Sequence, residues 1–242
     1  MRALRAGGFD PDLVPLIRIE PAEDPDMIID LLGALVGGRF GWVAVTSAST
    51  VKPLVDAAAN LGLDLPEALS RARVGAVGAA TAAALRAAGV TVDMVATTRS
   101  AQGLLEDWPR PQDYPDTPAR VLLPHGDLAE STLAAGLRAA GWSVRTVIAY
   151  RTVPVLPPPR VVAAWERGEY NGVVLTSSST ARQLVATLGV PARSVRVACI
   201  GKTTAATARG LGLEVTTARE PSPAGLVAAL LADRGAAGRE EQ

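Results

Sequence analysis

The feature that most constrains this chain is an internal repeat. Residues 45–50 read VTSAST and residues 175–180 read LTSSST, each where a β-branched apolar run gives way to a helix-period segment. Downstream of the first copy comes VGAVGAATAAALRAAGV (74–90), and downstream of the second VACIGKTTAATARGLGL (197–213). Thr46 and Thr176 stand 130 positions apart, and Gly78 and Gly201 stand 123 apart. Two ordered copies of strand–TSxS–helix, then strand–Gly-x-x-Thr–helix, imply two similar α/β domains.

The rest of the chain keeps the same alternation. Strands are expected at Pro15–Ile19, Trp42–Thr46, Val74–Val77, Val92–Ala96, Arg120–Leu123, Val144–Tyr150, Gly172–Thr176, Val195–Ile200 and Leu213–Thr217. Helix-period segments lie between them at Asp26–Val36, Thr50–Leu61, Ala79–Ala88, Leu128–Ala140, Ser179–Leu188, Thr203–Leu211 and Pro223–Ala232. Such alternation predicts parallel sheets with helices on both faces. Asp24-Pro25 and Ser222-Pro223 each set a capping side chain ahead of a proline suited to the first helical position. Two stretches without helical period, 19–24 and the proline-rich YRTVPVLPPP at 150–159, divide the repeats; the latter suits a stiff, extended spacer. Because the two crossings lie far apart in sequence, one domain is expected inside the other. Residues 1–22 and 156–242 would form a discontinuous first domain and 23–155 an inserted second, with the returning linker near 150–158.

LRAAGV (85–90), LRAAGW (137–142) and ARGLGL (208–213) each put a Gly where a helix needs a left-handed closing residue. LRAGGF (4–9) has the same ending, so the chain is expected to open in the last turn of a helix. Either about 20 residues, a strand and most of a helix, are then expected upstream, judging from the other βα units, or this end is built differently.

The repeated loops put Ser and Thr hydroxyls and backbone N–H groups at the C-terminal ends of parallel strands, the edge where open α/β sheets bind ligands. Helix N-termini there attract anions. Thr46-Ser47-Ala48-Ser49 and Thr176-Ser177-Ser178-Ser179 are therefore candidate carboxylate or phosphate cradles. Gly78-Ala79-Ala80-Thr81 and Gly201-Lys202-Thr203-Thr204 are candidates of the same kind. Plain helix capping is the competing explanation for any one loop. Four loops in matched pairs favour the ligand, since capping needs no shared sequence.

Composition narrows the chemistry. Twenty-four Lys+Arg balance 24 Asp+Glu, and only Lys52 and Lys202 are lysines, so no global basic field invites nucleic acid. A single Cys199 and a single His125 exclude a disulfide framework and a His/Cys metal cluster within one chain. No apolar run reaches the roughly 18 residues of a membrane span, and MRALRAGGFD is not a signal peptide. A cytoplasmic protein without membrane contact is expected. Gly201-Lys202-Thr203 is not a phosphate loop, because position 196 is Arg where that pattern needs Gly. GAVGAA (75–80) is a poor dinucleotide fingerprint. His125, in LLPHGD, reads as a solvent-exposed loop residue with Asp127 as its one possible partner in base catalysis. Cys199 reads as inert core. Tyr150 ends a strand at the domain junction, as hinge packing or as a functional group. Arg39, Arg99, Arg151, Arg182 and Arg219 lie near the loops, as ligand contacts or solvated face charges.

Taken together, the chain resembles the uroporphyrinogen-III synthase family. The likeness is carried by the paired TSxS loops, the turns ending at Thr81 and Thr204, RVLLPHGDLAESTLAAGLRAAGWSVRTVIAY at 120–150, and AREPSPAGLVAAL at 218–230. It implies two flavodoxin-like α/β domains with parallel sheets, joined by a two-stranded linker, the first domain made from both chain ends. The usual opening strand, reading like VLVTRP, is missing, and His125 stands where bacterial relatives often carry Arg. The resemblance implies cyclisation of hydroxymethylbilane with inversion of its last ring and loss of water. It implies no cofactor, no metal and a monomer. It also implies a polycarboxylate substrate held in a cleft by hydroxyls and helix N-termini. Tyr150 matches the family tyrosine and is the expected catalytic group. Thr46, Ser47, Ser49, Gly78, Thr81, His125, Gly126, Ser177, Ser179 and Thr204 are the expected substrate-binding positions. Two other readings stay open: a hinge-closing binder of a small anion, and a phosphosugar isomerase-like enzyme. The second would want a Glu or His base that the loops do not offer.

Overall fold

A computed structural model describes residues 1–98, 100–129 and 131–232. In chain order the elements are α1 (Arg2–Ala6), β1 (Ile17–Pro21), α2 (Asp26–Val36), β2 (Trp42–Val45), α3 (Val51–Asn60), α4 (Leu65–Leu69), β3 (Arg73–Ala76), α5 (Ala79–Ala87), β4 (Met94–Val95) and α6 (Ala101–Asp107). There follow β5 (Arg120–Gly126), α7 (Thr132–Ala139), β6 (Ser143–Pro154), α8 (Pro159–Glu166), β7 (Gly172–Leu175), α9 (Ser178–Leu188), β8 (Arg196–Cys199), α10 (Lys202–Gly210), β9 (Val215–Thr217) and α11 (Pro223–Leu231). The contacts divide the chain into Ile19–Thr152 and a second unit of Met1–Arg18 with Val153–Gln242. Both β1 and β6 run through that division, and they are hydrogen-bonded neighbours.

The inserted unit is a doubly wound sheet in the order β1-β6-β5-β2-β3-β4, with β6, β5, β2, β3 and β4 paired parallel. Successive residues of a strand face opposite sides, and the burial follows that period. Val43, Val45 and Leu122 join Leu32, Leu54 and Leu85 on the face covered by α2, α3 and α5. Trp42, Ala44, Val121 and Leu123 join Leu104 and Leu137 under α6 and α7. Strands buried on both faces read as unbroken apolar runs, which is why WVAV and VLL carry no polar alternation. Counted from β2, the chain winds outward through β3 and β4, then crosses back to place β5 on the other side of β2. The reversal therefore lies between β2 and β5.

The second unit has a three-stranded parallel sheet, β7-β8-β9, among the described residues. Leu175, Val197 and Cys199 pack with Leu184 and Ala205 on one side. Ala198 packs with Leu226 and Leu230 on the other, where α1 rests on α11. The same device starts α6 and α11: Ser100 and Ser222 cap by accepting from the N–H groups of Gly103 and Gly225, at 2.9 and 3.0 Å. A Cβ at either glycine would land on a carbonyl oxygen, that of Thr98 or of Glu220. This S-x-x-G start is a third matched pair that the sequence reading did not pick out.

The expected left-handed closures are present at Gly8, Gly89, Gly141 and Gly212, with φ of 85°, 81°, 94° and 85°. Asp24 accepts from Met27 N–H at 3.3 Å ahead of α2. Three helices went unpredicted. α4 and α6 are short, and α8 begins inside the proline run, where Pro159 opens the helix with its fixed φ and missing donor. β5 runs three residues beyond the expected Leu123, so His125 and Gly126 are strand residues rather than loop residues. β6 runs on to Pro154, because the YRTVP segment continues the ladder rather than leaving it.

Candidate functional site

The reversal between β2 and β5 is where an open α/β sheet leaves a crevice for a ligand. In the inserted unit it is flanked by the Thr46–Ser49 loop after β2 and by His125–Gly126 at the end of β5. The short 3-10 turn Ala48–Thr50 touches both β5 and α5, which brings the Gly78–Thr81 turn to the same edge. Ser49 and Tyr150 also line a cavity of about 240 Å³ with Ile29, Lys52 and Asp56, over the flank of β1 and β6. Lys52, not singled out beforehand, reaches Asp56 at 2.6 Å one helical turn away. In the second unit, Ser177–Ser179 after β7 and Gly201–Thr204 after β8 occupy the equivalent edge. There α9 packs on α10.

Within each TSxS loop, capping and free hydroxyls fall on different serines. Ser47 Oγ accepts from Ser49 N–H at 3.2 Å, and Ser177 Oγ accepts from Thr180 N–H at 3.1 Å. These are N-caps. The half-buried hydroxyls of Ser49 and Ser179 have no hydrogen-bond partner among the described residues. Thr81 and Thr204 are each 6% exposed, on the inner side of the first turns of α5 and α10. Gly78 and Gly201 precede those helices in extended conformation, so the first-turn N–H groups stand open at that edge. Thr50 is fully buried, and its Oγ1 has no hydrogen-bond partner among the described residues.

His125 departs from the solvent-exposed loop residue expected. It is half-buried in β5, and its Nδ1 lies 2.8 Å from the Gly126 carbonyl oxygen, to which an Nδ1–H donates. Asp127 is not its partner, since Asp127 Oδ1 accepts from Thr152 N–H at 2.9 Å. Tyr150 packs against the core cluster under α2 and α3, and its phenol oxygen has no hydrogen-bond partner among the described residues. Arg151 is held by Glu20 and Glu23. Arg39, Arg182 and Arg219 are exposed, and Arg99 lies outside the described residues. Burial pushes the Cys199 thiol up to about 11, which keeps it protonated and unreactive.

Such a site offers hydroxyls, backbone amides and one free phenol. It can bind carboxylates, orient them and donate a hydrogen bond. The family model described as uroporphyrinogen-III synthase HemD matches residues 1–228. A search of curated proteins finds no match. Among solved structures, a mutant uroporphyrinogen III synthase from Thermus thermophilus matches with a TM-score of 0.67 at 25% identity, covering 94% of this chain and 90% of that one. The uroporphyrinogen-III synthetase of Helicobacter pylori matches with a TM-score of 0.58 at 20% identity, covering 89% and 90%.

Proposed function

The chain belongs to the uroporphyrinogen-III synthase family, and from that premise we propose that it closes hydroxymethylbilane into uroporphyrinogen III, inverting the last pyrrole ring and losing water. It is then a carbon–oxygen lyase of tetrapyrrole biosynthesis. The observation that carries this is the family match over residues 1–228, joined to a site edge of hydroxyls and helix N-termini in each unit.

The chemistry asks little of a side chain. The pyrrole nitrogen pushes out the terminal hydroxyl, which takes up a proton and leaves as water, and an azafulvene forms. The substituted carbon of the last ring attacks it, giving a spiro intermediate. Rearrangement and loss of a proton then restore aromaticity in the inverted ring. Unassisted closure at the free carbon competes, so the protein must supply conformation and exclude water. Positioning of that kind is worth several kcal/mol, up to roughly 7–11 in the best cases.

Tyr150 donates the hydrogen bond to the departing hydroxyl. Its phenol in β6, without a hydrogen-bond partner among the described residues, supports that role. The Ser49 and Ser179 hydroxyls, with the first-turn N–H groups of α5 and α10, take the substrate's carboxylates. Thr46, Ser47, Gly78, Thr81, His125, Gly126, Ser177 and Thr204 shape the same edges. Nothing observed favours an anion binder or a phosphosugar isomerase.

Catalysis is separated from binding by giving a small amount of protein a large excess of hydroxymethylbilane. Many equivalents of uroporphyrinogen III per chain are expected; no more than one equivalent of it, with the rest closing unassisted to the type I isomer, would identify a binder. Tyr150→Phe should slow turnover by roughly 10²–10⁴-fold, the range of a lost proton-transferring group, with unchanged thermal unfolding. Undiminished turnover would remove Tyr150 from the chemistry.

A further inference from the structure

The pairing of β5 with β6 shifts register between His125 and Gly126. Six residues pair in step from Arg120↔Ser143 to His125↔Ile148, and then Gly126 pairs with Tyr150, leaving Ala149 as the extra residue on β6. An extra residue turns two neighbours to one face and re-aims the side chain that follows. The burial shows this. Val147 and Ala149 are buried in the cluster under α2 and α3, and Ile148 between them is 44% exposed on the other side. In regular alternation Tyr150 would follow Ile148. Instead it packs on the same cluster as Ala149.

Two neighbours fix the ring in that turned position. A Cβ at Gly126 would stand 2.6 Å from Tyr150 Cε2 and Cζ and 2.8 Å from Oη, so only a residue without a side chain lets the ring lie there. Asp127 brackets the backbone of the next two residues. Its N–H donates to the Tyr150 carbonyl at 3.1 Å, and its Oδ1 accepts from Thr152 N–H at 2.9 Å. Tyr150 also borders the cavity of about 240 Å³, so the ring has room to move if pushed.

We infer that Gly126, Asp127 and the bulge at Ala149 form a positioning device for the Tyr150 phenol, setting where it meets the leaving hydroxyl. This rests on the role proposed above for Tyr150. Asp127 is a positioning residue that acts through the tyrosine, and the Gly126-Asp127 pair is needed as a unit.

The test compares Gly126→Ala, Asp127→Ala and Asp127→Asn, with Asp127→Ala also placed in the Tyr150→Phe background. A displaced phenol should lower kcat on the order of 10- to 100-fold for Gly126→Ala and Asp127→Ala. Remote substrate contacts remain, so KM should stay within about threefold. Asp127→Asn keeps an oxygen for Thr152 N–H and should retain activity within about threefold. In the Tyr150→Phe background, Asp127→Ala should cost less than about twofold more, since coupled residues are not additive. Ring NMR signals give a readout free of activity, because the chain has only three tyrosines. The signals absent from Tyr150→Phe should shift in Gly126→Ala and Asp127→Ala and stay in place in Asp127→Asn, while those of Tyr114 and Tyr170 stay in place throughout. Unshifted ring signals, or equal losses from Asp127→Ala in both backgrounds, would overturn the inference. Full turnover by Tyr150→Phe itself would instead overturn the role of the phenol, and the ring signals would still decide whether the device sets its place.

Discussion

At the residue scale, the four-residue TSxS motif divides its labour. Ser47 and Ser177 cap helical turns through their hydroxyls, whereas Ser49 and Ser179 keep theirs free. Truncation should therefore separate stability from activity. Ser47→Ala and Ser177→Ala should each cost about 1 kcal/mol, seen as roughly 2–4 °C of Tm. Ser49→Ala and Ser179→Ala should leave Tm unchanged and raise KM for hydroxymethylbilane, checked by steady-state kinetics beside thermal unfolding. If the capping pair alone altered KM, the assignment would be reversed. The sequence shows the motif at both places but does not tell its serines apart. Which oxygen bends back to an N–H depends on the φ and ψ of one residue, and neither is written in TSxS. Tyr150 was legible as a strand residue, but not as the strand's end, since β6 runs on to Pro154. The device that aims it was not legible, because a bulge is a property of two paired strands. The Gly-Asp at 126–127, right after an apolar strand, was the one available signal.

At the element scale, long apolar-periodic segments were readable because their burial enforces the period. β2, β3, β7, β8, α2, α9 and α10 lie within a residue or two of expectation. α4 and α6 escaped because they are five and seven residues long and rest on an N-terminal cap, and α8 escaped because it opens inside the proline run. The S-x-x-G starts of α6 and α11 show how such an element is specified. Gly103→Ala or Gly225→Ala would press a methyl group onto a backbone carbonyl, and each should cost about 1–3 kcal/mol by chemical denaturation. A neutral substitution at either would mean the turn before the helix yields freely. β8 supplies a check on its own burial. Cys199 should resist thiol reagents near pH 8 in the folded protein and react once the chain unfolds. Since the folded thiol ionises at about 11 against an ordinary 9.0, the unfolded chain releases its proton first as pH rises. Stability should thus fall between those two values, measured as a declining Tm, and Cys199→Ala should lessen that decline, leaving the part due to Tyr170, whose phenol burial also pushes up.

At the scale of the molecule, one observation organises the rest. The same strand–loop–helix series occurs twice, with TSxS, then Gly-x-x-Thr, then S-x-x-G standing ahead of α3, α5 and α6 in one unit and of α9, α10 and α11 in the other. Each unit therefore sets hydroxyls and open N–H groups at the C-terminal edge of a parallel sheet, an arrangement that favours anions without any net positive charge on the chain. The balance of 24 cations and 24 anions, and a single His and Cys, suit a polycarboxylate whose leaving group departs with little help. The protein's contribution is then the direction of ring closure. That is measured most directly by the isomers formed when hydroxymethylbilane is supplied to the purified chain. Uroporphyrinogen III in clear excess over the type I isomer is the result expected. A product ratio no different from the spontaneous reaction would contradict the claim that this site governs ring closure.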